Sequence, residues 1–155
     1  MQPERVADYP RPPRLERVAE RVRIVLGGET IGDTTLAYRV LETTHPPTYY
    51  LPPNAFIAGA VIPSARTSFC EWKGHAEYVT LHGGRRTALD AGWRYPNPTA
   101  DFVALRGHVA VYARLMDACF VDGEQVTPQP GGFYGGWVTS NLIGPFKGEP
   151  GTEFW

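Results

Sequence analysis

Cysteine is scarce in this chain: Cys70 and Cys119 are the only two among 155 residues. Forty-nine positions apart, they fit neither a zinc knuckle nor the disulfide framework of a small secreted domain. That scarcity points to a reducing compartment and leaves a single Cys70–Cys119 bridge open. An excess of charge is also missing, since fifteen basic residues face sixteen acidic ones for a net charge of −1. A nucleic-acid binder normally carries a basic face, so that class is set aside. No run approaches the ~20 apolar residues of a spanning helix. The opening "MQPERVADYPRPPRLERVAE" lacks the apolar core of a signal peptide. The expectation is a soluble, cytoplasmic protein with neither a nucleic-acid nor a membrane partner. Catalytic signatures are absent too. There is no Gly-x-Ser-x-Gly elbow, and no histidine pair at helical metal-binding spacing. No Lys-Ser or Lys-Thr follows the glycines of "QPGGFYGGWVT", as a phosphate loop would require. No metal and no cofactor are expected.

What the chain has in quantity is glycine and proline, seventeen and fifteen residues spread along its length. Among β-branched and aromatic runs they punctuate many short strands. With 43% hydrophobic and 20% charged residues, the length suits one globular domain with its own core. The fold class expected is mainly β, two packed antiparallel sheets with one or two short helices. Residues 1–16, with Pro3, Pro10, Pro12 and Pro13, read as an irregular arm, and 17–155 as a single β domain. Val22, Ile24 and Leu26 alternate before a Gly27-Gly28 turn, with a return strand expected at Leu36–Leu41. Further strands are expected at 67–73, 75–82, 86–94, Val109–Ala113 and Ala118–Val121. Asp122-Gly123 then turns a hairpin into Gln125-Val126. The best helix follows Pro98, with Thr99 as its cap and Gly107 as its stop.

The stretch "SFCEWKGHAEY" concentrates reactive groups. In a strand, side chains alternate between faces, so Cys70 and Trp72 should point inward, while Phe69, Glu71 and Lys73 share the other face. Thirteen of the fifteen basic residues are arginine; Lys73 and Lys147 alone are lysine, each between an aromatic and a glycine. A lysine kept in an arginine-biased chain marks a place that needs a compact point charge or a titratable amine. A nucleophilic Cys70 would need a base or a positive field. "THPPTYYLP" and "AGWRYPNP" read equally as packed edges or as aromatic pocket walls.

Together "RVLETTHPPTYYLP", "SFCEWKGHAEY", "GWRYPNPT" and the run from "GHVAVYARLMDACFVDG" to the end resemble the DUF427 family, a domain of unknown function. The resemblance covers nearly everything after about residue 20. It implies a β-tent-like fold, related to domains that often carry zinc on paired Cys-x-x-Cys motifs; this chain has no such pair, so the metal is not carried over. A nucleotidyltransferase label sometimes attached to the family is discounted, because the Gly-Ser and Asp-x-Asp of that two-metal chemistry are missing. The family's motif positions here are His45, Tyr49, Tyr50, Cys70, Trp72, Lys73, Gly74, Trp93, Tyr95, Gly132, Phe133, Tyr134, Trp137 and Lys147.

The expected function is binding of a small molecule. The aromatic pocket would be lined by Tyr49, Tyr50, Trp72, Trp93, Tyr95, Tyr134 and Trp137, and oriented by His45 and a Glu71–Lys73 rim. One alternative is an enzyme using Cys70 or Lys73, with His45 or Glu71 as acid or base. The other is an assembly module whose aromatic positions are core, and a homodimer is expected as the partner state.

Overall fold

The computed structural model describes all residues, 1–155. In chain order the strands are β1 (Glu4–Arg5), β2 (Arg14–Arg17), β3 (Val22–Leu26), β4 (Glu29–Thr34), β5 (Tyr38–Leu41), β6 (Thr48–Tyr50), β7 (Val61–Cys70) and β8 (Gly74–Gly83). They continue with β9 (Arg86–Arg94), β10 (Val109–Val111), β11 (Ala118–Val121), β12 (Glu124–Gln125), β13 (Thr127–Pro128), β14 (Trp137–Val138) and β15 (Leu142–Ile143). The chain is mainly β, and its small helical share consists only of short 3-10 turns. No helix is long and apolar enough to cross a membrane.

Two four-stranded antiparallel sheets, β10-β9-β8-β7 and β12-β11-β3-β4, enclose the main core. Alternation explains which residues fill it. Val22, Ile24 and Leu26 on β3 are buried while Arg23 and Val25 are only half covered. From the facing sheet come Val79, Leu81, Val109 and Val111, all buried. Each such side chain removed from water is worth roughly 1.5–3 kcal/mol. A three-stranded sheet, β2-β5-β6, and two two-stranded ladders complete the architecture. The β3–β4 turn needs left-handed backbone at both central positions, and Gly27 (φ 61°) and Gly28 (φ 76°) supply it.

Three expectations are corrected. The strand returning from the Gly27-Gly28 turn is β4, not Leu36–Leu41; the latter stretch holds β5, which pairs with β2 and β6 in another sheet. Residues 1–16 are not an irregular arm. β1 pairs in parallel with β15, and β2 pairs with β5, so the prolines lie between strands. The helix after Pro98 is a 3-10 segment, Ala100–Leu105, broken at Phe102 (φ −118°). Thr99 does not cap it, because its Oγ1 donates instead to the Trp72 carbonyl at 2.6 Å. Cys70 and Cys119 are both free, the first half-buried and the second in the main core.

Candidate functional site

The β7–β10 sheet has two faces. One carries Val79, Leu81 and Val111 into the main core; the other presents Tyr78, Trp93 and Tyr95 to a cavity of about 560 Å³. On β7 the cavity residues Arg66, Ser68 and Cys70 fall at a spacing of two, as one strand face requires. Two bulges shape this wall. β7 inserts extra residues between Pro63 and Thr67 opposite Tyr78, and β9 does so opposite Thr80. Extra residues on both sides of one stretch of β8 increase the local twist and re-aim side chains. They bring Arg66, Leu89 and Asp90 to the cavity rim.

Strand β7 ends at Cys70, and residues 71–73 form a turn into β8. Alternation therefore stops one residue before Glu71. Thr99 holds the turn, its Oγ1 donating to the Trp72 carbonyl and its N–H donating to the Lys73 carbonyl at 3.1 Å. The result places Lys73 on the same side as Cys70, withdrawn into the closed end of the cavity, while Glu71 points to solvent. The Lys73 ammonium lies 5.9 Å from the centre of the Tyr95 ring and 5.8 Å from that of Phe102. Burial pushes its pKa down, but Tyr50, Cys70 and Glu42 together hold it above the ordinary lysine value, so it is a cation at neutral pH. No carboxylate forms an ion pair with it. Beside it stands the fully buried Tyr50. Trp93 Nε1–H donates to the Tyr50 hydroxyl at 3.4 Å, and the Tyr95 ring centre lies 6.3 Å from that of Tyr50. Burial pushes both phenols well above their usual range.

The opposite wall is built by His45 and the glycine-rich loop. Gln129 is buried and its amide orientation is set by backbone: Gly136 N–H donates to Oε1 at 3.1 Å, and Nε2 donates to the Lys147 carbonyl at 2.9 Å. The same Nε2 stands 3.2 Å from His45 Nδ1. Because that amide nitrogen only donates, Nδ1 must accept, and the ring proton sits on Nε2. His45 Nε2 faces the Glu42 carboxylate at 3.9 Å. Burial pushes the His45 pKa below its ordinary 6.5; Glu42 opposes this, while Lys147, Arg11 and Lys73 reinforce it. Both lysines of the chain thus act on one imidazole. The loop presses close because it lacks side chains: a Cβ on Gly135 would stand 2.2 Å from Trp93 Cη2. In ¹⁵N-histidine NMR spectra His45 is expected as the Nε2–H tautomer, titrating below 6.5. In Gln129→Leu that preference disappears, and unfolding becomes easier by about 1–3 kcal/mol because the Gly136 and Lys147 backbone groups lose their partner. A Nδ1–H ring in the unaltered protein would contradict the assignment.

At the mouth, Arg66 stacks on Tyr78 with its guanidinium carbon 4.4 Å from the ring centre, and Arg114 stacks on Tyr112 at 5.2 Å. The Tyr112 pKa is pushed up to about 12, first by burial and then by the neighbouring Tyr78. Trp93 packs 4.7 Å from Tyr112.

Of the residues expected from sequence, His45, Tyr50, Cys70, Lys73, Trp93, Tyr95 and Tyr134 line this one cavity. Four do not. Tyr49 and Trp137 stack on each other at 5.1 Å inside the main core, Trp72 packs on the smaller cluster around Phe102, and Glu71 is exposed. A Glu71–Lys73 rim is therefore not formed; the carboxylate on this wall is Glu42. Sequence reasoning missed Glu42, Arg66, Tyr78, Tyr112, Arg114 and Gln129. Pro63 inside a strand run was the available signal for the bulge that carries Arg66. Nothing in the sequence marks Gln129.

No curated protein matches the chain. A comparison with protein families matches residues 14–122 to a domain of unknown function, DUF427. The matched span holds Lys73, Tyr50 and Trp93, while Gln129 and the glycine-rich wall lie beyond it. The chain belongs to the DUF427 family.

Proposed function

We propose that the protein binds a small organic acid, with the acidic group at the closed end of the cavity against Lys73 and Tyr50. The carrying observation is an ammonium withdrawn from solvent with no carboxylate paired to it. A buried charge ordinarily has a partner, and Lys73 lines the open cavity. Proton accounting supports the same ligand chemistry. Trp93 Nε1–H is directed to the Tyr50 oxygen, and the Tyr50 hydroxyl donates to no other group of the chain. The proton of Tyr50 is then free for the ligand, and the ammonium only donates. A carboxylate or phosphate, which only accepts, suits such an end. The aromatic walls supply apolar area for the body of the molecule.

Binding is favoured over turnover because the lone pair of His45 Nδ1 is committed to Gln129, which takes away the general base. Glu71 stands outside the cavity. The test compares melting temperatures in millimolar benzoate and in the neutral benzamide. A rise that grows with benzoate concentration and is absent with benzamide supports the reading. Equal responses to the two, or none to benzoate, would remove it.

A further inference from the structure

Resting on that reading, we infer that the ligand carries a second acidic group, taken at the mouth by Arg66 and Arg114, so that the molecule recognised is a flat aromatic dianion. Both arginines line the cavity and both are exposed. They stack on two neighbouring tyrosines, Tyr78 and Tyr112, and both guanidiniums act on the one Tyr112 hydroxyl. A guanidinium stacked on a ring uses its face and leaves its in-plane N–H groups free. Those groups form the fork that matches a carboxylate or phosphate.

Neither arginine is spent on the fold. Of the seven arginines that form no ion pair, Arg66 and Arg114 alone line the cavity. The two carboxylates lining the cavity are engaged elsewhere. Glu42 pairs with Arg11 at 3.6 Å and faces His45, and Asp90 accepts from the Ser64 hydroxyl. An aromatic track, its successive rings turned by 90° and 49°, links the two cationic regions of the cavity. Tyr50 beside Lys73 meets Trp93 edge-on at 6.3 Å, and Trp93 meets Tyr112 at 4.7 Å. A planar body lying along this track would place one acid at Lys73 and the other at the arginine pair.

The test measures binding of benzoate, terephthalate and biphenyl-4,4′-dicarboxylate by calorimetry, to the unaltered protein and to the Arg66→Gln/Arg114→Gln double variant. The melting temperature of the unliganded variant serves as the folding check. One of the dianions is expected to bind the unaltered protein about tenfold or more tighter than benzoate, as a charge-assisted fork implies. In the double variant that ratio falls to about one. Dianions no tighter than benzoate, or a ratio that survives in the variant, would overturn the second seat and leave the single-acid reading standing. Silence from benzoate, with a dianion bound only when the arginines are present, counts for the second seat and against the closed-end one. Failure of all three acids to bind removes both.

Discussion

Replacing Lys73 with methionine is expected to weaken benzoate binding by roughly 10- to 150-fold, the range of a lost hydrogen bond to a charged group. The unliganded protein should remain within about 1 kcal/mol of its original stability. The two effects separate because no carboxylate is orphaned when the ammonium goes. The methionine chain can keep the contacts that the lysine stem makes near Tyr95 and Phe102. Lys73→Arg is not a safe alternative, since a wide planar fork replaces a compact charge at a closed end. Melting curves at increasing benzoate read both quantities together, because ligand-induced stabilisation scales with the logarithm of ligand concentration over Kd. A Lys73→Met variant that kept the full benzoate response would show that the acid sits elsewhere.

Arg39→Met is expected to act in the opposite way, on the fold, since Arg39 does not line the cavity. The guanidinium of Arg39 bonds Glu4 through two nitrogens, at 3.1 and 2.9 Å, and Glu16 at 2.7 Å. These contacts tie β1 and β2 to β5. The arginine is well covered while the two glutamates keep 27% and 37% of their exposure, which places the group between a surface pair and a buried triad. We therefore expect a loss of roughly 2–3 kcal/mol, more than a surface pair and less than a buried one. That corresponds to about 4–12 °C in Tm for a chain of this size. The pH dependence follows from Glu4. Burial pushes its pKa up, but the hydrogen bonds from Arg39 and Tyr9 outweigh this, and the carboxyl lies below its ordinary 4.5. A depressed pKa contributes stability above the unfolded value, and that contribution is lost as pH falls from 4.5 toward the folded value. His45, also depressed, adds a separate loss that begins as pH drops below 6.5. Urea titrations at several pH values should show the acid step near Glu4 shrink in Arg39→Met while the histidine step remains. An unchanged acid step would mean that this cluster contributes little.

The parts of the fold legible in the sequence are those governed by local rules. Val22, Ile24 and Leu26 announce β3 by alternation, and Gly27-Gly28 and Asp122-Gly123 announce two-residue turns whose central residues all have positive φ. The illegible parts depend on residues far away. The end of β7 at Cys70 is enforced by Thr99, nearly thirty positions on, and that clamp turns Lys73 inward against the alternation rule. The same use of Thr99 deprives the next segment of its cap, so a helix shrinks to a 3-10 turn. By sequence Tyr49 and Trp137 suit a pocket wall as well as a core, because large aromatics serve both roles; only the stacking of β6 Tyr49 on β14 Trp137 decides that they are core. The retained lysines are informative: Lys73 lines the cavity, and both lysines act on the His45 imidazole.

The pairing of β1 with β15 bears on how fast the protein folds and when its cavity comes into being. Glu4 sits opposite Leu142, and its N–H donates to Asn141 at 3.0 Å. Loop-closure entropy must be met before so remote a contact returns anything, and chains rich in such contacts reach the native state slowly. Trp137 adds to the delay. It is fully buried, with its backbone N–H bonded to Pro47 and its indole to Val111, so the main core stays open until that segment arrives. A chain still emerging during synthesis would hold Lys73 and Trp93 before Gln129 and the glycine-rich wall of the cavity had been made.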